Sequence, residues 1–297
     1  MGEPSGCNSI GVAYDTGEGF SKDQIQAAEL YRKACDMGAG LGCANLGTAY
    51  SKGNGVNKND AKAAKYYQSA CDLGDGPSCS KLSLAYAKGQ GVIKDRAKSV
   101  ELDRKACGMG DAIGCDGLGV AYFVGGGVSK DEAKAAELYQ KSCDMGDGDG
   151  CLHLGQAYEK GEGVSTDEVK AAELYRKSCD IGDGYGCASL GFAYSLGKGV
   201  SEDQDTAVRL QQKSCDLGNG FGCYVTAEAY REGQGVSEDL YKAADLYRKA
   251  CGLGDGWGCS GLGHAYQRGA GVSKNLAKAA EYELKACHAG LAPACSK

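Results

Sequence analysis

Apolar and polar positions recur along the chain with a period of 36 residues, and within each period they keep the three-to-four-residue spacing of amphipathic helices. The stretch 151–186 shows the pattern. Leu154, Ala157 and Tyr158 share one helical face, and Gly155 beside them permits close approach of another helix. Gly161-Glu162-Gly163 breaks that helix. Ser165, with Glu168 three residues on, reads as the capping box of a second helix, a device repeated at Ser21–Gln24, Ser129–Glu132 and Ser201–Gln204. Ala171, Ala172, Leu174, Tyr175 and Ser178 form the apolar side of this second helix, and Gly182 is placed to close it in a left-handed conformation. Each period thus predicts two antiparallel helices.

Neither helix can bury its stripe alone, so neighbouring units must stack. The expected fold is all-α: a right-handed α/α superhelical solenoid of eight 36-residue helix-turn-helix repeats. One array spans residues 1–297, with units 7–42, 43–78, 79–114, 115–150, 151–186, 187–222, 223–258 and 259–294. Tyr50, Tyr86, Tyr122, Tyr158, Tyr194, Tyr230 and Tyr266 hold one phase and are expected to pack between helices with their hydroxyls at an edge. Three units depart locally: Ser83, Ser99-Val100 and Asp103 in the third, Gln211 in the sixth, Thr226-Ala227 in the seventh.

Composition changes this picture little. Glycine, at 49 residues, is roughly twice its usual share, which would suggest disorder if the glycines did not fall at fixed phases. The formal net charge of −6 is spread over mixed signs without a basic run, so nucleic acid is not an expected partner. No stretch of about 18 apolar residues exists, so no membrane insertion is expected.

The 17 cysteines alternate at spacings of 28 and 8 without exception, from Cys7 to Cys295. Zinc sites want ligands two to four residues apart, and the chain offers only His153, His264 and His288 besides, so neither metal nor cofactor is expected. Disulfides remain. Two connectivities suit a helical array: Cys35 with Cys43, between successive units, or Cys43 with Cys71, within one. The first leaves Cys7 unpaired and the second leaves Cys295. The first is preferred, because two residues beyond Cys295 suggest a boundary placed to complete Cys287–Cys295. Either scheme calls for an oxidising compartment.

Leu154-Gly155, Ala157-Tyr158, Gly161-x-Gly163-Val164, Ala171-Ala172 and Tyr175 together resemble the Sel-1-like repeat, a relative of the tetratricopeptide repeat, and the likeness covers residues 7–294. Cysteine pairs at i and i+8 narrow the resemblance to the Helicobacter cysteine-rich protein type. That type implies bridges between neighbouring helices: Cys35–Cys43, Cys71–Cys79, Cys107–Cys115, Cys143–Cys151, Cys179–Cys187, Cys215–Cys223, Cys251–Cys259 and Cys287–Cys295. It also implies a secreted or periplasmic location. A mitochondrial intermembrane-space relative with similar cysteine-bearing repeats gives the alternative.

The resemblance implies scaffold or adaptor work, with a protein or peptide partner. Its alternative is the penicillin-binding or weak β-lactamase activity described for the cysteine-rich type. Ser78-Cys79-Ser80-Lys81 fits Ser-x-x-Lys, but neither Lys-Thr-Gly nor Ser-Asp-Asn occurs, and no catalytic residue is assigned. Binding specificity should lie at repeat phases that vary. If the first helices line a concave face, the candidates are Leu84, Val120, Phe123, Leu152, Gln156, Phe192, Tyr224, Arg231 and His264, with Tyr185, Phe221 and Trp257 from the phase two before each cysteine. A monomer is expected.

Overall fold

The computed structural model describes residues 3–291, 294 and 295. Among these, sixteen helices follow one another with no strand. In chain order they are α1 (Pro4–Thr16), α2 (Gln24–Asp36), α3 (Gly40–Lys52), α4 (Asp60–Asp72), α5 (Gly76–Lys88), α6 (Arg96–Gly108), α7 (Ala112–Val124), α8 (Glu132–Asp144), α9 (Gly148–Lys160), α10 (Glu168–Ile181), α11 (Gly184–Leu196), α12 (Gln204–Asp216), α13 (Gly220–Glu232), α14 (Leu240–Gly252), α15 (Gly256–Arg268) and α16 (Leu276–His288). They form a helical solenoid of hairpins. By its contacts the chain divides into two compact units, residues 1–150 and 151–297, and each is described by itself. In the first, α1 to α8 pack each on the next, and the first helices α1 and α3, and α5 and α7, also touch across repeats. In the second, the same order runs from α10 to α16, with α11 on α13 and α13 on α15.

The helices begin where a side-chain acceptor meets extended backbone. Asp167, not Ser165, caps α10, accepting a hydrogen bond from the Lys170 backbone N–H at 3.0 Å. Asp23, Asp131 and Asp203 do the same for α2, α8 and α12, which displaces the expected serine caps by two residues. The reason is positional: the backbone turns helical only after the aspartate, so the serine lies outside the first turn. First helices start about three residues before their cysteine, at Gly148 rather than Cys151. Gly182 does close α10 in the left-handed region, with φ of 103°.

Two glycine phases set the stacking. A methyl group built on Gly155 would lie 2.6 Å from the Tyr175 ring, so the bare backbone is what lets the second helix sit on the first. The second glycine of each interhelix turn governs the approach between repeats. At Gly199 a methyl group would stand 1.9 Å from the Glu168 carbonyl oxygen, and φ there is +66°. Leu46, Leu82, Leu154 and Leu262 are fully buried in the layers so formed.

Seven cysteine pairs join the end of one repeat's second helix to the start of the next repeat's first: Cys35–Cys43, Cys71–Cys79 and Cys107–Cys115 in the first unit, and Cys179–Cys187, Cys215–Cys223, Cys251–Cys259 and Cys287–Cys295 in the second. Their Cα atoms stand 4.4–4.8 Å apart. Cys143–Cys151 would link the two units and stays an expectation from the spacing. Cys7 is a buried free thiol. Each bridge closes about nine residues and contributes roughly 2.5 kcal/mol in the chain-entropy account. That offsets a core built largely of alanine and cysteine.

Candidate functional site

The site is built on the second helices. Ala171, Ala172 and Tyr175 of α10, and Ala243, Ala244 and Tyr247 of α14, are buried and form two floors in the second unit. Small alanines leave room above them, and the first helices on either side supply the walls. Two clefts result. One, of about 280 Å³, is bounded by Glu159, Glu168, Phe192, Leu196 and Lys198. The other, of about 370 Å³, is bounded by Tyr224, Glu228, Arg231, Trp257, His264 and Arg268.

Each floor tyrosine is fixed by a glutamate. The Tyr175 hydroxyl donates to Glu159 Oε2 at 2.8 Å, and Lys198 Nζ stands 3.3 Å from Glu159 Oε1. The Tyr247 hydroxyl donates to Glu228, which also pairs with Arg231. Burial first, and then the glutamate partner, push both phenols well above the usual tyrosine range. They therefore stay neutral donors and hold the carboxylates in place. His264 Nε2 lies 3.5 Å from Glu283 Oε1, and Ser260 Oγ donates to the same oxygen at 3.2 Å.

Between the clefts runs a ladder of rings along the first helices, exposed at Phe192, Phe221 and Trp257 and half-buried at Tyr224, which also meets Tyr247 at 6.2 Å. Phe192 meets Phe221 at 5.9 Å between centroids, Phe221 meets Tyr224 at 6.0 Å, and Tyr224 meets Trp257 at 6.2 Å. Trp257 is 50% exposed and Tyr185 63% exposed. Soluble chains rarely leave contiguous aromatic surface in water without a use for it.

The structure thus gathers Phe192, Tyr224, Arg231, His264, Phe221 and Trp257 in one region of the second unit, with Tyr185 exposed on α11. Leu152 differs from expectation. It is only 6% exposed and packs with Ala171, Ala172 and Tyr175, because the first position after the cysteine faces the floor, as the burial of Ala44, Ser80, Ala188 and Ser260 at the same phase shows. Gln156 is half-buried on α9. In the first unit, Leu84 is exposed, Val120 and Phe123 are half-buried, and Lys130 Nζ lies over the Phe123 ring. No aromatic ladder joins these three among the described residues. Sequence reasoning missed Glu168, Leu196, Lys198 and Arg268. They lie at or beyond helix ends, at repeat phases other than those of the candidate residues, and only their recurrence at equal phase in both clefts marks them.

The periodic tyrosines pack as expected, with hydroxyls at an edge. Lys170 Nζ donates to Tyr158 Oη at 2.6 Å, and Lys242 Nζ donates to Tyr230 Oη at 2.6 Å. Ser78 is fully buried with no partner for its hydroxyl, Cys79 is in a disulfide, and Lys81 Nζ lies 5.5 Å above the Tyr67 ring. Serine and lysine of that Ser-x-x-Lys therefore point to different surroundings. Among the described residues no helix is long and apolar enough to cross a membrane.

The Sel1 repeat family model matches residues 4–38, 40–75, 76–111, 112–147, 148–183, 184–219, 221–255 and 258–291. The matched repeats follow the helix hairpins, and so begin about three residues before the cysteine-based units. A search of curated proteins by sequence gave no match. Among solved structures, a protective antigen of uropathogenic Escherichia coli with an SLR fold is 33% identical, covers 99% of this chain and has a TM-score of 0.72. This chain spans 63% of that antigen's length. A Sel1 repeat protein from Oxalobacter formigenes is 25% identical over 99% of this chain and 86% of its own, at a TM-score of 0.73. Helicobacter pylori cysteine rich protein B is 36% identical over 44% of this chain and 93% of its own, at a TM-score of 0.36. With eight matched repeats laid along its sixteen helices and bridged at the eight-residue cysteine spacing, the chain belongs to the Sel1 repeat family.

Proposed function

We propose that this protein is a monomeric scaffold that binds an extended segment of another protein along the first helices of its second unit. Helical solenoids are built for such work, since they present long continuous faces and carry specificity at the positions that do not build the stack. The observation that carries the reading is the partly exposed ladder Phe192–Phe221–Tyr224–Trp257 beside two apolar-floored clefts. Aromatic side chains supply large contact area at low entropic cost, which makes them the usual anchors of a binding face. The disulfides demand an oxidising compartment, and we read it as extracellular or periplasmic.

Phe192→Ala and Tyr224→Ala test this. The Phe192 ring stands largely in solvent and should change thermal stability by no more than about 1 kcal/mol, whereas the Tyr224 ring is half-buried beside Tyr247 and should cost about 2 kcal/mol. A partner retained by the native chain from the extracellular or periplasmic fraction should be lost with the double variant. Equal retention by both, or a large drop in stability, would place these rings in the frame and not on a binding face. Light scattering of the purified chain checks the monomer.

A further inference from the structure

The two clefts of the second unit are one site repeated. Moving each bounding residue of the Phe192 cleft forward by 72 positions, two repeats, lands on a bounding residue of the Trp257 cleft. Ala171-Ala172 and Tyr175 become Ala243-Ala244 and Tyr247, so the floor is unchanged. The rim is not. Glu159 corresponds to Arg231, Glu168 to Leu240, Leu196 to Arg268 and Lys198 to Ala270. On a constant frame, the charge is opposite at Glu159 and Arg231, and at the other three positions a charged residue in one cleft stands where the other has an uncharged one.

The charges that remain free set a polarity. Glu159 is occupied by Tyr175 and Lys198, and Arg231 by Glu228. Among the described residues Glu168 and Arg268 make no ion pair, and both are exposed. One cleft therefore offers an apolar floor with a free carboxylate, and the other an apolar floor with a free guanidinium. The aromatic ladder bridges them. Its three ring-to-ring steps are 5.9, 6.0 and 6.2 Å, so Phe192 and Trp257 are at most about 18 Å apart. An extended chain covers that in five or six residues at roughly 3.3 Å each.

Resting on the binding-face reading above, we infer that the occupant is an extended peptide with two anchors about six residues apart. One is a long cationic side chain whose apolar stem enters the Phe192 cleft and whose charge meets Glu168. The other is an aliphatic residue in the Trp257 cleft flanked by an Asp or Glu side chain that meets Arg268. Both anchors are needed together, because linking two weak sites raises the local concentration of the second.

Trp257, the single tryptophan of the chain, reports occupancy by its emission. The probes are blocked peptides of about eight residues with leucine-flanked charged anchors about six residues apart: lysine with glutamate, lysine with lysine, and glutamate with glutamate. The mixed peptide should bind about tenfold tighter than either like-charged one. Arg268→Glu should weaken the mixed peptide about tenfold and make the double-lysine peptide the best ligand, and Glu168→Lys should do the same for the double-glutamate peptide. Moving the anchors to two residues apart should lose the gain from bridging.

Indifference to anchor charge or spacing, with binding still lost on Phe192→Ala, overturns this inference and leaves the binding face standing. Binding only when the peptide carries a free C-terminal carboxylate overturns it too, since a chain end and not a side chain would then be recognised. No response to any probe, together with no effect of Phe192→Ala on partner capture, removes both readings.

Discussion

The two units share a frame and differ on its exposed side. Four repeats before Tyr185, Phe192, Phe221, Tyr224 and Trp257 stand Leu41, Thr48, Pro77, Ser80 and Ile113. The cleft equivalent to that of Phe192 exists in the first unit, but it holds only about 40 Å³ and is lined by Asp15, Gln24, Asn45 and Thr48. Two of its polar groups satisfy each other, Gln24 Nε2 donating to Asp15 Oδ1 at 3.1 Å, and Asn45 Nδ2 donates to Asn8 Oδ1 at 2.9 Å. Where the second unit has Tyr247, the first has Asp103. The lesson is that the repeat separates two jobs. Glycines, alanines, cysteines and capping aspartates are held constant to stack the helices, and the remaining phases are free to become inert in one unit and adhesive in the other.

If the frame is common, damage to it should be equal in both units, and this carries the largest effect. Gly55→Ala in the first unit puts a methyl group 1.8 Å from the Gln24 carbonyl oxygen at φ of +67°, and Gly199→Ala does the equivalent in the second. Each should cost more than about 3 kcal/mol in denaturant unfolding. A loss confined to one unit would show that the stacking rule is not shared.

The disulfides come next. Replacing Cys35 and Cys43 together, or Cys251 and Cys259 together, by alanine should cost roughly 2.5 kcal/mol in either unit. Peptide mapping under non-reducing conditions should also return a Cys143–Cys151 cross-link. A free thiol at either cysteine would break the cysteine rule at the one place where it would join the units.

Asp103 separates the units by a few kcal/mol and by pH. Burial is the main cause that raises its carboxyl to about 7, opposed by the Ser83 hydroxyl and aided by Asp116 and Asp111. Unfolded, the same group ionises near 4. The folded chain therefore binds the extra proton, so the stability this gives is complete below pH 4 and is lost as pH rises through 7. Asp103→Asn, which resembles the protonated form, should match the native chain at pH 4 and exceed it at pH 8. Identical pH profiles would mean that Asp103 is solvated after all.

The fold was largely legible because its devices are local. A 36-residue period, paired glycines and a cysteine at every eighth or twenty-eighth step each act on neighbours, so spacing alone predicts the stack. The caps were misread at Ser165 because serine and aspartate both accept hydrogen bonds, and only backbone geometry shows which residue precedes the first turn. Half of the site was legible for the same reason: Phe192, Phe221 and Trp257 are large residues at phases with no stacking duty, while Tyr224 shares the floor-facing phase of Leu152. Leu152 and Arg268 mark where this ends. Which way a side chain turns from a given phase depends on its neighbours in other repeats, and that information is not periodic. Ser83 and Ser99 make the point, since two departures that look separate in sequence meet in space, their hydroxyl oxygens 2.8 Å apart.

The smallest expected effect tests whether anchors act singly or as a ladder. Thr48 is the first unit's counterpart of Phe192 and is half-buried. Its hydroxyl donates to the Ala44 carbonyl at 3.0 Å and receives the Tyr67 hydroxyl at 3.3 Å. Thr48→Phe removes an acceptor that water can replace at a partly exposed site, so stability should change by less than about 1 kcal/mol. The new ring would have Pro77, Ser80 and Ile113 where Phe192 has Phe221, Tyr224 and Trp257. With no ladder of exposed rings to join, it should give the first unit no measurable affinity for the lysine–glutamate peptide when the second unit is silenced by Phe192→Ala and Trp257→Ala. Binding recovered by Thr48→Phe alone would show that one aromatic anchor suffices and that the ladder is not what distinguishes the two units.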